Sequence, residues 1–141
     1  MKIGQFLKES VNNYSGKISS VVFSAGCNYR CPACHAKHIL DGKSNIDEDE
    51  VFNYLESRKG WIEGVVLCGG EPTLQKGLPA FAWRIKSRGF DVKLDTNGSN
   101  PGMIENLLKE KIVDYVAMDV KAPKEIYPLA AGKNVEIGKL E

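Results

Sequence analysis

The sequence predicts an α/β fold built from parallel βα units, an open sheet or partial barrel. Three observations predict it. Apolar, β-branched runs alternate with amphipathic stretches of helical period, and the 141 residues suit one domain with a real core. Each strand-like run also ends in a polar or glycine-rich motif, and in parallel sheets ligands gather at those carboxyl ends.

Taken in order, residues 17–24 form the first strand, which leads into a cysteine-rich loop. Residues 47–59 form a helix with Val51, Phe52 and Leu55 on one face, and the run Asp47-Glu48-Asp49-Glu50 places acids against its positive end. Residues 64–68 are a short buried strand running into Gly69-Gly70. A second helix spans 78–88, with Leu78, Phe81 and Ile85 inward and Gly89 as its stop. Residues 90–94 are the third strand. The helix after it starts near Pro101 and turns Ile104, Leu107 and Leu108 inward. Residues 113–118 are the fourth strand. Lys109-Glu110-Lys111 reads as a solvated helix end, and Trp61 and Trp83 read as packing residues.

Beyond that strand the pattern is irregular. Ala122-Pro123 and Tyr127-Pro128 break any helix, and Val135 with Ile137 is the one short apolar pattern left. The expectation is a single domain over 1–141 with an irregular tail over 122–141, its partial barrel being either a compact version with an open flank or truncated after the fourth strand. There is no internal repeat, low-complexity tract or linker.

Composition narrows the function classes. Nineteen Lys and Arg against eighteen Asp and Glu leave a formal charge of +1, which offers no broad electrostatic case for nucleic acid or membrane as partner. No stretch approaches the ~20 apolar residues of a membrane span. The opening Met1-Lys2-Ile3-Gly4-Gln5-Phe6 lacks the apolar centre of a signal peptide, so a cytoplasmic location with reduced cysteines is expected.

Three of the four cysteines lie in Cys27-Asn28-Tyr29-Arg30-Cys31-Pro32-Ala33-Cys34, a C-x3-C-x2-C spacing directly after the first strand. Three thiolates so close can point at one centre, as a 4Fe–4S cluster with one iron left open would require. A zinc site is the rival reading. It needs a fourth ligand from His35, His38 or Cys68, and a single C-x2-C knuckle is not the usual zinc arrangement. Cys68 reads better as a buried small hydrophobe, and the two histidines as residues around the ligands or on the surface.

The other strand ends carry Gly69-Gly70-Glu71-Pro72, Asp95-Thr96-Asn97-Gly98 and Asp119-Val120-Lys121. The glycines permit close backbone approach, leaving carbonyls and Glu71 as acceptors for an amino group. Each motif is also an ordinary turn. Asp95 and Asp119 end neighbouring strands and repel unless a cation or a Lys121 salt bridge lies between them.

With these motifs in view, the chain resembles the radical SAM superfamily, through the cysteine spacing and Gly69-Gly70-Glu71. Within it, Asp95-Thr96-Asn97-Gly98 and Asp119-Val120-Lys121 are similar to activating enzymes of glycyl-radical enzymes, in particular the group that activates anaerobic ribonucleoside-triphosphate reductase. The resemblance runs from Ile3 to about Tyr127. It implies a partial radical SAM barrel in which Cys27, Cys31 and Cys34 ligate a 4Fe–4S cluster. It implies S-adenosylmethionine (SAM) as second cofactor, with Gly69, Gly70 and Glu71 seating its amino group and Asp119 and Lys121 contacting its ribose and carboxylate. Ala33, where relatives carry an aromatic residue, would meet the adenine through its backbone, with His35 and Asn97 beside the cofactors. Asp95, Thr96 and Asp119 would hold a monovalent cation.

The implied reaction is reductive cleavage of SAM to a 5′-deoxyadenosyl radical. Its implied partners are a glycyl-radical enzyme, the anaerobic ribonucleotide reductase, and a one-electron donor such as flavodoxin or ferredoxin. An oxygen-sensitive, anaerobic setting follows. Two alternatives stay open: a small-molecule radical SAM enzyme such as 7-carboxy-7-deazaguanine synthase, and a non-catalytic iron–sulfur or zinc-binding fragment. Relatives continue into further strands of a six-stranded partial barrel, which this chain does not reach.

Overall fold

The computed structural model describes residues 1–132 and 135–140. One five-stranded sheet has the order β1 (Ile3–Ser10), β2 (Ser19–Ser24), β3 (Gly64–Gly69), β4 (Asp91–Thr96) and β5 (Tyr115–Met118). The last four strands pair in parallel as expected. β1 is the addition: it runs antiparallel to β2, and the sequence reading passed over it. Its charged and glycine-containing run Ile3-Gly4-Gln5-Phe6-Leu7-Lys8-Glu9-Ser10 has only partial alternation, which is what an edge strand tolerates.

Three helices occupy the predicted connections: α1 (Glu48–Ser57), α2 (Leu78–Lys86) and α3 (Pro101–Lys109). The Asp47 side chain caps α1 by accepting the Asp49 N–H at 3.0 Å, and Asn100 caps α3 by accepting from Met103. Leu55, Leu78, Phe81, Ile85 and Leu107 are fully buried, and they pack with Val22, Leu67 and Leu94 on the helix-covered face of the sheet. Leu108 was expected inward but is 49% exposed. The helical period turns it away once Leu107 takes the core position. Trp61 and Trp83 are likewise exposed rather than packed.

The opposite face is different in character. Register places Val21, Val66, Lys93 and Tyr115 in one row across it. The next row toward the carboxyl ends contains Phe23 beside Cys68 and Asp95 beside Ala117. This is the face a partial barrel would enclose. Tyr14 covers its lower end, packed on Val21 and Val66.

The tail is more ordered than the proline pairs predicted. Tyr127-Pro128 opens a five-residue helix, α4 (Tyr127–Ala131), because proline at the first turn gives up no helical hydrogen bond. α4 stops at Gly132, which is left-handed (φ 67°). Among the described residues no strand follows β5.

Candidate functional site

All four motifs meet at the carboxyl end of the parallel strands. The anchor is Glu71, only 1% exposed. Its Oε1 accepts from the Thr73 N–H at 3.1 Å, the Thr73 hydroxyl, and the Thr96 hydroxyl at 2.7 Å. Its Oε2 accepts from the Asn97 N–H at 2.7 Å. A buried carboxylate needs such donors. Glu71 thus ties the loop after β3 to the loop after β4, and its side chain is taken up by protein groups.

The glycine pair has a geometric reason as well. A Cβ on Gly70 would lie 2.0 Å from the Gly26 carbonyl oxygen, and Gly69 has φ 113°. The Glu71 N–H donates to that same Gly26 oxygen at 2.8 Å. The two loops are therefore in backbone contact, which is the close approach the glycines permit.

The cysteine loop is held from three sides. The Gly26 N–H donates to the Ile39 carbonyl at 2.7 Å. Asn28 donates to the Ser99 hydroxyl at 2.9 Å and accepts from the Asn97 side-chain amide at 2.9 Å. The Arg30 N–H donates to the Ala131 carbonyl at 2.8 Å. Asn28 and Ser99 were not singled out in the sequence, and their only signal was adjacency to Cys27 and to the Asn97-Gly98 turn.

Cys27, Cys31, Cys34 and Cys68 are all free thiols. Cys27 Sγ accepts the Tyr29 N–H at 3.3 Å and lies 4.0 Å from the Asn97 side-chain nitrogen. Burial pushes the Cys27 thiol up, against the opposing pull of the Tyr29 amide. Ala33 and His35 are exposed, while Cys31 and Cys34 are half-buried. Among the described residues, no group of three or more His, Cys, Asp or Glu side chains is drawn close enough to hold a metal ion as it stands. The loop thus fits a thiolate-bound cluster in donor type, spacing and N–H support, while the three sulfurs do not yet converge.

The zinc candidates are dispersed. His38 Nε2 lies 3.0 Å from Gln5 Oε1, and Cys68 packs with Val21, Val66 and Tyr14 on the inner sheet face. Burial, then the charge of Asp95, pushes the Cys68 thiol up to about 12.

The paired carboxylates each have a lysine. Lys121 Nζ donates to Asp119 Oδ2 at 2.9 Å. Lys93, which sequence reasoning missed, lies 2.9 Å from Asp95 Oδ1, off the axis of a regular hydrogen bond. Lys93 Nζ also donates to the Asn13 carbonyl at 2.7 Å. The Asp95 carboxyl is raised by burial and by Asp119, against the pull of Lys93. Burial works against the Lys121 ammonium, but its bond to Asp119, with Cys31 nearby, outweighs that and raises it. Lys121 therefore puts a positive charge beside the cysteine loop. Thr96 spends its hydroxyl on Glu71 and on the Gly98 N–H, 3.2 Å away.

The family model for the radical SAM superfamily matches residues 21–136. A Methanocaldococcus jannaschii protein, provisionally named a glycyl-radical enzyme activating enzyme, is 43% identical over 84% of this chain and 49% of its own length. A 7-carboxy-7-deazaguanine synthase of Thermoplasma acidophilum is 32% identical over 78% of this chain and 50% of its own. The chain thus spans about half the length of the curated relatives it matches. Among solved structures, QueE from Escherichia coli superposes with a TM-score of 0.54 at 19% identity, covering 69% of this chain and 52% of that one. TYW1 with a lysine-pyruvate adduct bound gives 0.54 at 15% identity, over 88% of this chain and 50% of that one. At such identities the likeness speaks for the fold. Among the described residues, no helix is long and apolar enough to cross a membrane.

Proposed function

This chain belongs to the radical SAM superfamily, and we propose from that premise that it cleaves SAM reductively to make a radical for a glycyl-radical enzyme. One observation carries the reading. Three free cysteines at C-x3-C-x2-C spacing sit on the loop leaving a parallel strand, against the ends of three others that carry Glu71, Asn97 and Lys121. When bound there, a 4Fe–4S cluster would supply the electron that splits the sulfonium of SAM into methionine and a 5′-deoxyadenosyl radical.

The chain's own residues hold and orient. Cys27, Cys31 and Cys34 are the thiolate donors, and the N–H groups of Tyr29 and Asn97 support Cys27. Glu71 and Gly70 act by fixing the loops, which leaves the backbone carbonyls around Gly69 to meet an amino group. Lys121 is the partner for a carboxylate and Asp119 for a ribose hydroxyl, while the exposed Ala33 offers its backbone to the adenine and the exposed His35 flanks it. A monovalent cation at Asp95, Thr96 and Asp119 would have to displace Lys93, whose ammonium already neutralises Asp95.

The partner assignment rests on the relative at 43% identity. We take it to be an anaerobic ribonucleotide reductase, with flavodoxin or ferredoxin as electron donor. The test is anaerobic incubation with SAM, a reductant and the reductase, reading 5′-deoxyadenosine and an organic-radical EPR signal on the reductase. The relative at 32% identity supports the second reading, a 7-carboxy-7-deazaguanine synthase. Formation of 7-carboxy-7-deazaguanine from a pterin substrate, with no reductase present, would favour it. Uptake of zinc with no iron would favour a non-catalytic binding module.

A further inference from the structure

We propose that the turn at Gly132, with α4 behind it, is a clamp that holds the cysteine loop in its ligating shape, making Gly132 and Tyr127 positioning residues for the cluster. The proposal rests on the radical SAM reading of Cys27, Cys31 and Cys34.

Residues 25–36 contain no regular strand or helix, so their shape must come from outside contacts. Gly26 and Asn28 are tied to neighbouring loops. The middle of the loop, where Cys31 begins, receives its backbone anchor from the tail: the Arg30 N–H donates to the Ala131 carbonyl at 2.8 Å. At the next residue the chains nearly touch, since a Cβ on Gly132 would lie 2.0 Å from the Arg30 carbonyl oxygen and 2.6 Å from its carbon. Those are backbone atoms and cannot swing aside.

Side chains seal the same contact. Tyr29, Tyr127 and Ala131 are buried together, and Cys27 and Cys31 pack against them with Ala122, Val135, Ile137 and Leu140. The Tyr127 hydroxyl donates to the Asp119 carbonyl at 3.2 Å, which fastens α4 to the end of β5. The apolar surface of the two ligand cysteines is thus covered by a segment separate from the main core. Loosening that cover would free the loop without unfolding the sheet.

Gly132 is left-handed and also crowded, and these two constraints separate experimentally. Asparagine tolerates a left-handed φ but carries a Cβ. If crowding against Arg30 is the reason for glycine, Gly132→Asn must behave as badly as Gly132→Ala. If only φ matters, Asn restores function. Gly138, where a Cβ would meet nothing within 4 Å, is the control.

The experiment has two readouts on anaerobically reconstituted wild type, Gly132→Ala, Gly132→Asn, Tyr127→Phe and Gly138→Ala. The first is iron loss to a chelator, with the EPR line shape of the retained cluster. The second is amide hydrogen exchange at Arg30 in metal-free protein. The clamp predicts that both Gly132 variants lose iron about tenfold faster with a broadened EPR line, as losing outer support does at other metal sites. It predicts faster Arg30 exchange with β3 amides unchanged, a smaller effect for Tyr127→Phe and none for Gly138→Ala. Wild-type iron retention in Gly132→Asn, or unchanged Arg30 exchange, overturns the clamp. If wild type takes up no iron, the radical SAM reading fails, and the Arg30 exchange result still decides the clamp.

Discussion

The Glu71 carboxylate accepts the Asn97 backbone N–H at 2.7 Å, so the glycine loop after β3 and the Asn-Gly loop after β4 are one hydrogen-bonded unit. Asn97 in turn reaches Asn28 and Cys27, which carries that connection into the cysteine loop. Protein groups alone thus link the three loops of the site.

Replacing Glu71 tests that order. Four protein donors face its two oxygens, so Glu71→Gln confronts some of them with an amide NH2 and leaves them unsatisfied. The expected loss is about 2 kcal/mol in urea unfolding. Thr96→Val should lose a comparable amount, about 2 kcal/mol, because it removes one donor to Glu71 and leaves the Gly98 N–H without its acceptor.

The glycines divide into crowded and open positions. Gly70→Ala forces a Cβ against the Gly26 carbonyl oxygen and should destabilise by about 1–3 kcal/mol. Gly102, inside α3 with nothing within 4 Å, should gain about 0.5–1 kcal/mol on substitution by alanine. Thermal or urea unfolding of the two variants reads opposite signs.

Much of this architecture was legible in the sequence. The four parallel strands, the helices between them and the meeting of motifs at their ends follow from period and punctuation. β1 escaped because Lys8 and Glu9 break its alternation, as suits an edge. Lys93 escaped because a lysine inside a strand reads as solvent-facing; it points instead to the inner face, paired with Asp95. The docking of α4 on Arg30 was not readable at all. It depends on a three-dimensional approach of two backbones about 100 residues apart, and Tyr127-Pro128 looked like a helix breaker when it is a helix start.

Cys68 gives a pH signature. Its thiol is pushed from 9.0 up to about 12 in the folded chain. Between those values the unfolded chain has lost the proton that the folded chain keeps, so stability falls as pH rises through this window. Cys68→Ala should flatten that part of the alkaline unfolding profile. At pH 8, iodoacetamide should label Cys31 and Cys34 well before Cys68, as read by peptide mass mapping.

Asp91 gives the opposite signature. Hydrogen bonding to Lys17 holds its carboxyl below the usual carboxylate range. The stability it contributes is present above that range and lost as pH falls through the lowered value. Asp91→Asn should remove this acid-side slope while leaving the profile's shape at neutral pH unchanged.

The most direct test of the central claim is the EPR spectrum of anaerobically reconstituted, reduced protein with and without SAM, run beside single Cys→Ala variants. The account predicts a reduced 4Fe–4S signal whose g-values move when SAM is added. It is lost in the variants at Cys27, Cys31 and Cys34 and retained at Cys68. A protein that builds no cluster, or a cluster signal indifferent to SAM, would contradict it.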